Sequence, residues 1–142
     1  MDGWLHDGAL YLRVVDYKSG KKAFALAELW QGIGLQLPLY LFVLRERFED
    51  YRRLHPELPE DVRAVPAGLL YAPIRSALVV SPAPLSDEAL AREREEQLAR
   101  DGLVTDELPV LRAMEPELAG RGRFIPVKLN ADGSPAAGAK IA

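Results

Sequence analysis

The chain has 142 residues, of which 49% are hydrophobic and 27% charged, the balance of one folded globular domain rather than of a disordered chain. Its 18 basic and 21 acidic side chains give a net charge of −3, which excludes a protein that holds nucleic acid through bulk positive charge but not one with a local basic patch. The absence of cysteine excludes disulfides, cysteine-ligated zinc and an iron–sulfur cluster within these residues. No apolar run is long enough to span a membrane and no secretory signal begins the sequence, so we expect a cytoplasmic protein without membrane contact.

The first predicted elements are two strands joined by a turn. Residues Ala9–Asp16 are rich in β-branched and aromatic side chains, and His6-Asp7-Gly8 before them has the composition of a turn from an earlier short strand. Side-chain alternation divides the second strand into two faces, one with Leu10, Leu12, Val14 and Asp16, and the other with Tyr11, Arg13 and Val15.

A helical period replaces the strand period from about Leu26 to Arg53. Because Pro38 removes a backbone donor inside this segment, we predict a kink there or a division into two helices. We also expect both tryptophans, Trp4 and Trp30, to lie in the core. One helical stripe contains Leu29, Ile33, Gln36, Leu37, Tyr40 and Leu44.

The second half of the chain begins with another strand. Residues Ala67–Ile74 are nearly all apolar, which is typical of a central strand. Ser86 is a good N-cap for a highly charged, solvated helix that extends to about Arg100. Three further elements complete the prediction: a short helix from Thr105 or Asp106 to Met114, a strand at 124–129, and a turn at 130–134.

Asp16 and Lys18 end the long first-half strand as Asp-Tyr-Lys. Because residues i and i+2 of a strand project to the same side, the carboxylate and the ammonium face one site. A carboxylate there can hold a hard divalent cation, and a neighbouring lysine can orient a water or stabilise charge on a phosphate. Asp-x-Lys by itself is common, however, and a solvated ion pair is the simpler interpretation of this motif.

Two further features flank this pair. Lys21 and Lys22 add cations in the loop that follows the strand. Gln36 and Tyr40 lie one helical turn apart on the apolar stripe, so their polar groups need hydrogen-bond partners. The two side chains can satisfy each other, or a phosphate or a metal-bound water can supply the partner.

These features together resemble a known nuclease pattern. A strand ending in Val14-Val15-Asp16-Tyr17-Lys18-Ser19-Gly20, followed by a helix with Gln36-x3-Tyr40, is similar to the RecB-like branch of the PD-(D/E)XK superfamily. The resemblance is closest to the AddAB family of ATP-dependent helicase–nucleases, which has segments similar to Gly102–Asp106 and Pro126–Ser134. It therefore covers nearly the whole chain.

The resemblance implies an α/β fold with a PD-(D/E)XK core, in which a central mixed sheet is flanked by helices, truncated at both ends. It implies one partial nuclease domain over 1–142, with core motifs in 9–53 and a C-terminal extension in 86–142. The implied activity is that of an Mg²⁺-dependent exodeoxyribonuclease, with Mn²⁺ as a substitute, in a complex that processes double-strand breaks for recombinational repair. Its implied partners are single-stranded DNA produced by unwinding and an AddA-type helicase subunit.

The resemblance also assigns roles to residues of this chain. It makes the Asp16 carboxylate and the Tyr17 backbone carbonyl metal ligands, and it places Lys21 and Lys22 against DNA. The catalytic residues that it implies are Asp16, Lys18, Gln36 and Tyr40.

The chain departs from the family pattern in two places. The family has a second metal-binding aspartate in a Gly-x-x-Asp-Arg-x-Asp motif, and Asp2 aligns with the last aspartate of that motif, which puts the ligand before Met1. The cysteines of the family's 4Fe-4S cluster and its ATP site are also absent from these residues. We therefore expect an excised fragment that is inactive by itself. Two alternatives stay open: a non-catalytic nuclease-like module for subunit docking or DNA guidance, and an unrelated α+β enzyme with a chance Asp-x-Lys.

Overall fold

The computed structural model of the chain describes residues 1–20, 22–74 and 79–136. Within these ranges, four strands form one mixed sheet in the order β1-β2-β3-β4. β1 is antiparallel to β2, β2 is parallel to β3, and β3 is antiparallel to β4, so that β2 and β3 are the inner strands. The strands are β1 (Asp2–His6), β2 (Ala9–Lys18), β3 (Arg63–Pro73) and β4 (Asp101–Val104).

Helices cover both faces of this sheet, which confirms the predicted α/β class with a mixed sheet flanked by helices. α2 and α3 pack on one face, against a cluster that includes Leu10, Val14 and Leu69. α5 packs on the opposite face, against Leu70 and Val104. None of the described helices is long and apolar enough to cross a lipid bilayer. The helices are α1 (Leu26–Trp30), α2 (Gln36–Glu46), α3 (Phe48–Leu54), α4 (Asp87–Leu98) and α5 (Leu108–Met114).

The β1–β2 hairpin has the predicted turn. Asp7 and Gly8 both have positive φ, 45° and 68°, which suits a two-residue hairpin loop. Across the hairpin, the Asp2 carboxylate accepts hydrogen bonds from the guanidinium of Arg13, whose Nε lies 3.1 Å from Asp2 Oδ2. Arg13 is 7% exposed and stacks 4.9 Å from the centre of the Trp4 ring. Asp2 therefore has a structural partner in the hairpin.

The helical segment is divided by glycines and not by Pro38, so that part of the prediction is wrong. Gly32 and Gly34 have φ values of 80° and 74° and separate α1 from α2. Pro38 lies in the first turn of α2, where no helical acceptor is available for a backbone N–H and proline is tolerated. Trp30, predicted to be in the core, is 93% exposed at the end of α1.

The second half follows the prediction in part. Ser86 Oγ accepts a hydrogen bond from Ala89 N–H at 3.2 Å, and α4 buries none of its residues, as expected for a capped, solvated helix. Thr105 Oγ1 bonds Glu107 N–H at 3.2 Å, but Glu107 is the N-cap of α5, so the predicted cap is wrong. Residues 124–129 form only isolated bridges instead of a strand.

Candidate active site

The candidate site lies at the carboxyl end of β2, on the sheet face that carries α2. Asp16 of β2 is in register with Tyr71 of β3, and Tyr71 is in register with Asp101 of β4. Directly paired residues project to the same face of a sheet, so these three side chains form a row across it. The alternation predicted for β2 places Lys18 on this face as well.

Asp16 and Lys18 contact each other at this position. Lys18 Nζ lies 2.5 Å from Asp16 Oδ2, and the side chains are 31% and 16% exposed, respectively. Asp16 Oδ2 is buried and accepts no hydrogen bond of ordinary geometry from the described residues, so the ammonium beside it supplies its compensation. A buried carboxylate oxygen held only by a lysine is a ready ligand for a second cation.

The electrostatic surroundings keep Lys18 charged. The pKa of Lys18 is raised from its ordinary value of 10.5, first because the Asp16 carboxylate bonds and attracts the ammonium. Tyr71 and Tyr40 act in the same direction, and desolvation opposes them. Lys18 is therefore an ammonium at neutral pH in this structure. In that form it can stabilise negative charge or orient a water, but it cannot accept a proton.

Gln36 and Tyr40 meet on α2. Gln36 Nε2 donates to the Tyr40 hydroxyl at 2.8 Å, and both side chains are exposed. Leu37, fully buried between them in sequence, anchors this end of α2 in the cluster with Tyr71. That packing brings Tyr40 close enough to Lys18 to affect its pKa. Because Tyr40 accepts the bond from Gln36, its own hydroxyl proton can be donated to another acceptor.

The Tyr17 backbone carbonyl points towards the other edge of β2. Ile74 N–H donates to the Lys18 carbonyl at 2.9 Å, so the peptide groups of Lys18 face β3. Backbone groups alternate along a strand, and the Tyr17 carbonyl therefore faces the side on which β1 pairs. That pairing reaches only as far as Asp2 opposite Arg13, so β1 does not cover Tyr17. The Tyr17 side chain is 64% exposed.

The oxygens of Asp16 and Tyr17 match part of a magnesium site. Mg²⁺ prefers oxygen ligands, keeps several waters, and is commonly bound through one or two carboxylates together with substrate phosphates. Within residues 1–20, 22–74 and 79–136, no three acidic or histidine side chains come together as a metal site. The two oxygens fit an ion whose shell is completed by water and phosphate, but they are too few to bind it tightly. Asp2, which aligns with the family motif, is bonded to Arg13 instead.

Of the two predicted DNA-binding lysines, Lys22 reaches the site, and Lys21 lies outside the described residues. Lys22 Nζ lies 5.1 Å from the centre of the Tyr71 ring, and Lys18 Nζ lies 5.4 Å from it. Sequence reasoning missed Tyr71, although it shares a strand face with Leu69 in a segment predicted as a central strand. It also missed Asp101, because β4 was not predicted.

A sequence model of the PD-(D/E)XK nuclease superfamily matches residues 2–120, which include all four strands and every site residue described above. The chain belongs to this superfamily. Its membership confirms the fold class, and it places the buried Asp16–Lys18 pair in a family of nucleases.

Curated relatives within this superfamily carry the name of the B-type subunit of an ATP-dependent helicase/deoxyribonuclease. The chain is 38% identical to the one from Moorella thermoacetica over 135 residues, 95% of this chain and 11% of that protein. It is 31% identical to the one from Clostridium acetobutylicum over 128 residues, and 33% identical to the one from Caldanaerobacter subterraneus over 129 residues. Each of these last two matches covers 90% of this chain and 10% of the relative. The similarity to AddB of the AddAB family is confirmed, and the chain spans about a tenth of the length of these relatives.

Proposed function

We propose that this chain is the nuclease domain of an AddB-type helicase–nuclease protein, a metal-dependent deoxyribonuclease that hydrolyses phosphodiester bonds. The observation that carries the proposal is the Asp16–Lys18 contact at the end of an inner strand, with Tyr40 of α2 beside it, in a chain of the nuclease superfamily. Residues 1–142 then make up a single partial nuclease domain, with its core motifs in 9–53 and a C-terminal extension in 86–142.

The chemistry follows from what each group can do. The Asp16 carboxylate and the Tyr17 carbonyl are the oxygens that would hold Mg²⁺, or Mn²⁺ in its place. Such an ion supplies a bound water of lowered pKa and neutralises charge on the scissile phosphate. Lys18, as an ammonium, orients the attacking water and stabilises charge that develops on the phosphate.

Binding and orientation of the DNA strand fall to the neighbouring side chains. Gln36 and Tyr40 orient the strand from α2, because Tyr40 can donate its hydroxyl proton to a phosphate oxygen while it accepts from Gln36. Lys22, together with Lys21, contacts the backbone through charge, which gives affinity that depends on salt and not on sequence.

The role of the longer protein is inferred from its relatives' name. We propose that the substrate is single-stranded DNA that an AddA-type helicase exposes by unwinding at double-strand breaks, in the cytoplasm. The 4Fe-4S cluster and the ATP site of the family would then lie in other parts of that protein, since this chain has no cysteine.

The test is a chimera in which this chain replaces the matching segment of the Moorella thermoacetica relative, to which it aligns over 135 residues. We expect the chimera, assembled with its helicase partner, to degrade single-stranded DNA when Mg²⁺ is present and not in EDTA. Asp16→Ala should abolish cleavage, whereas Glu93→Ala, which removes an exposed carboxylate of α4, should leave it unchanged.

Unwinding activity serves as the check that each chimera is folded and assembled. Cleavage that persists in Asp16→Ala would contradict the proposal. Unwinding without any cleavage would also contradict it, and would favour a non-catalytic module that guides DNA or docks another protein of the complex.

A further inference from the structure

We propose that Tyr71 and Asp101 are positioning residues that gather Lys18 and Lys22 into a two-cation site for a phosphodiester group of the DNA strand. This inference rests on the proposed function and adds to it two residues from strands that lie beyond the Asp-x-Lys and Gln-x3-Tyr motifs.

Tyr71 supplies a common surface for the two lysines. Its ring is 4% exposed and lies in the cluster with Leu37. The Nζ atoms of Lys18 and Lys22 lie 5.4 Å and 5.1 Å from the ring centre, so their separation cannot exceed the sum of these distances. Two ammonium groups repel each other, and attraction to the electron-rich ring face offsets part of that repulsion. At this separation both can contact the same phosphodiester or two adjacent ones.

Asp101 holds the loop that carries Lys22. Asp101 Oδ2 accepts a hydrogen bond from Phe24 N–H at 2.9 Å, and its Oδ1 accepts one from Gly102 N–H at 2.9 Å. Phe24 is 6% exposed, and its ring packs 6.0 Å from that of Tyr71. The loop is therefore fixed two residues after Lys22 by a backbone bond and an aromatic contact.

The charges of this group leave Lys22 for an external anion. Among the described residues, the contact of Lys18 is with the Asp16 carboxylate, and Asp101 accepts from backbone amides. No carboxylate oxygen of the described chain lies within ion-pair distance of Lys22, whose ammonium has the Tyr71 ring as its partner. A phosphate that enters beside Asp16 meets Lys22 as a cation without competition from a carboxylate.

The test is binding of a fluorescein-labelled oligothymidylate to this chain in EDTA, followed by anisotropy over a range of salt concentrations. Lys22→Gln should weaken binding at low salt by about fivefold and lower the salt slope by about one. Tyr71→Leu should do the same, because Lys22 loses the surface that holds it. Tyr71→Phe, which keeps the ring, should bind as the wild type does.

A double-mutant cycle shows whether Tyr71 acts through Lys22. The Lys22→Gln, Tyr71→Leu double variant should bind no more weakly than either single variant, whereas independent effects would multiply and overturn the proposal. Because Tyr71 is buried, Asp101→Ala gives a second measurement: it should weaken binding as Lys22→Gln does, and Asp101→Asn should restore it because its amide oxygen still accepts from Phe24. Wild-type binding in Asp101→Ala would overturn the role of Asp101.

The two proposals fail separately. If the chimera cleaves DNA but the lysine and tyrosine variants bind with independent effects, the positioning inference is wrong and the nuclease stands. If the cycle shows coupling but cleavage survives Asp16→Ala, the phosphate site stands and the proposed catalytic role does not.

Discussion

Gly102 is the position at which a single methyl group should damage the fold most. It has φ of 154° in β4, and an added Cβ would lie 1.9 Å from the Leu69 carbonyl oxygen and 2.9 Å from Leu70 Cα. Both of these are backbone atoms of the inner strand β3, so no side-chain rotation can relieve the overlap. In Gly102→Ala, β4 must therefore move away from β3.

The cost can be estimated from two contributions. An alanine at this backbone conformation costs about 1–3 kcal/mol. Separation of the strands also weakens a ladder that pairs four residues of β4 with β3, at about 1 kcal/mol for each hydrogen bond lost. We expect Gly102→Ala to lower the free energy of unfolding by about 3–5 kcal/mol, a large share of the stability of a domain of this size.

The assay is urea unfolding followed by circular dichroism, with Gly133→Ala as the matched control. Gly133 also has positive φ, 83°, but an added Cβ would meet no atom within 4 Å. Gly133→Ala should therefore cost only the conformational penalty, about 1–2 kcal/mol. Equal losses in the two variants would refute the claim that contact with β3 requires glycine at 102.

Three further predictions concern charge and chemistry. Asp2→Asn should lower the free energy of unfolding by about 1–2 kcal/mol, because the buried Arg13 guanidinium loses its carboxylate. The bond from Arg13 lowers the pKa of Asp2 from 3.8, so in urea titrations this difference should be complete above that pH and disappear as the pH falls below it. The isolated chain should show little Mg²⁺-dependent cleavage of single-stranded DNA, since Asp16 and Tyr17 supply few ligands; robust cleavage that depends on Lys18 would contradict this. Tyr40→Phe should slow cleavage by the chimera about tenfold or more without lowering its melting temperature, and an unchanged rate would remove Tyr40 from the site.

Local patterns carried the part of the fold that the sequence could predict. The period of two in β2 was sufficient to place Asp16 and Lys18 on one face, because strand alternation depends only on neighbours in sequence. The interruption before α2 was assigned to Pro38, whereas Gly32 and Gly34 cause it by adopting positive φ. The exposure of Trp30 also contradicts an expectation that rested only on its hydrophobicity.

The rest of the candidate site depends on contacts between distant parts of the chain. Tyr71 and Asp101 reach the site through strand register, which the pairing of β2 with β3 and of β3 with β4 determines. β4 begins with Asp101-Gly102, two residue types that are depleted in strands, and it forms because β3 offers an edge for pairing. The sequence contains both residues, but only the tertiary structure brings them to the loop that carries Lys22.

The most direct test of the account is the single-turnover rate of DNA cleavage by the chimera carrying Lys18→Ala, compared with Arg92→Ala on exposed α4. If the lysine beside Asp16 stabilises the reacting phosphate, Lys18→Ala should cut single-stranded DNA at least a hundredfold more slowly while unwinding continues, and Arg92→Ala should cut at the parental rate. Parental cleavage by Lys18→Ala, with intact unwinding, would show that the Asp16–Lys18 contact is an ordinary ion pair.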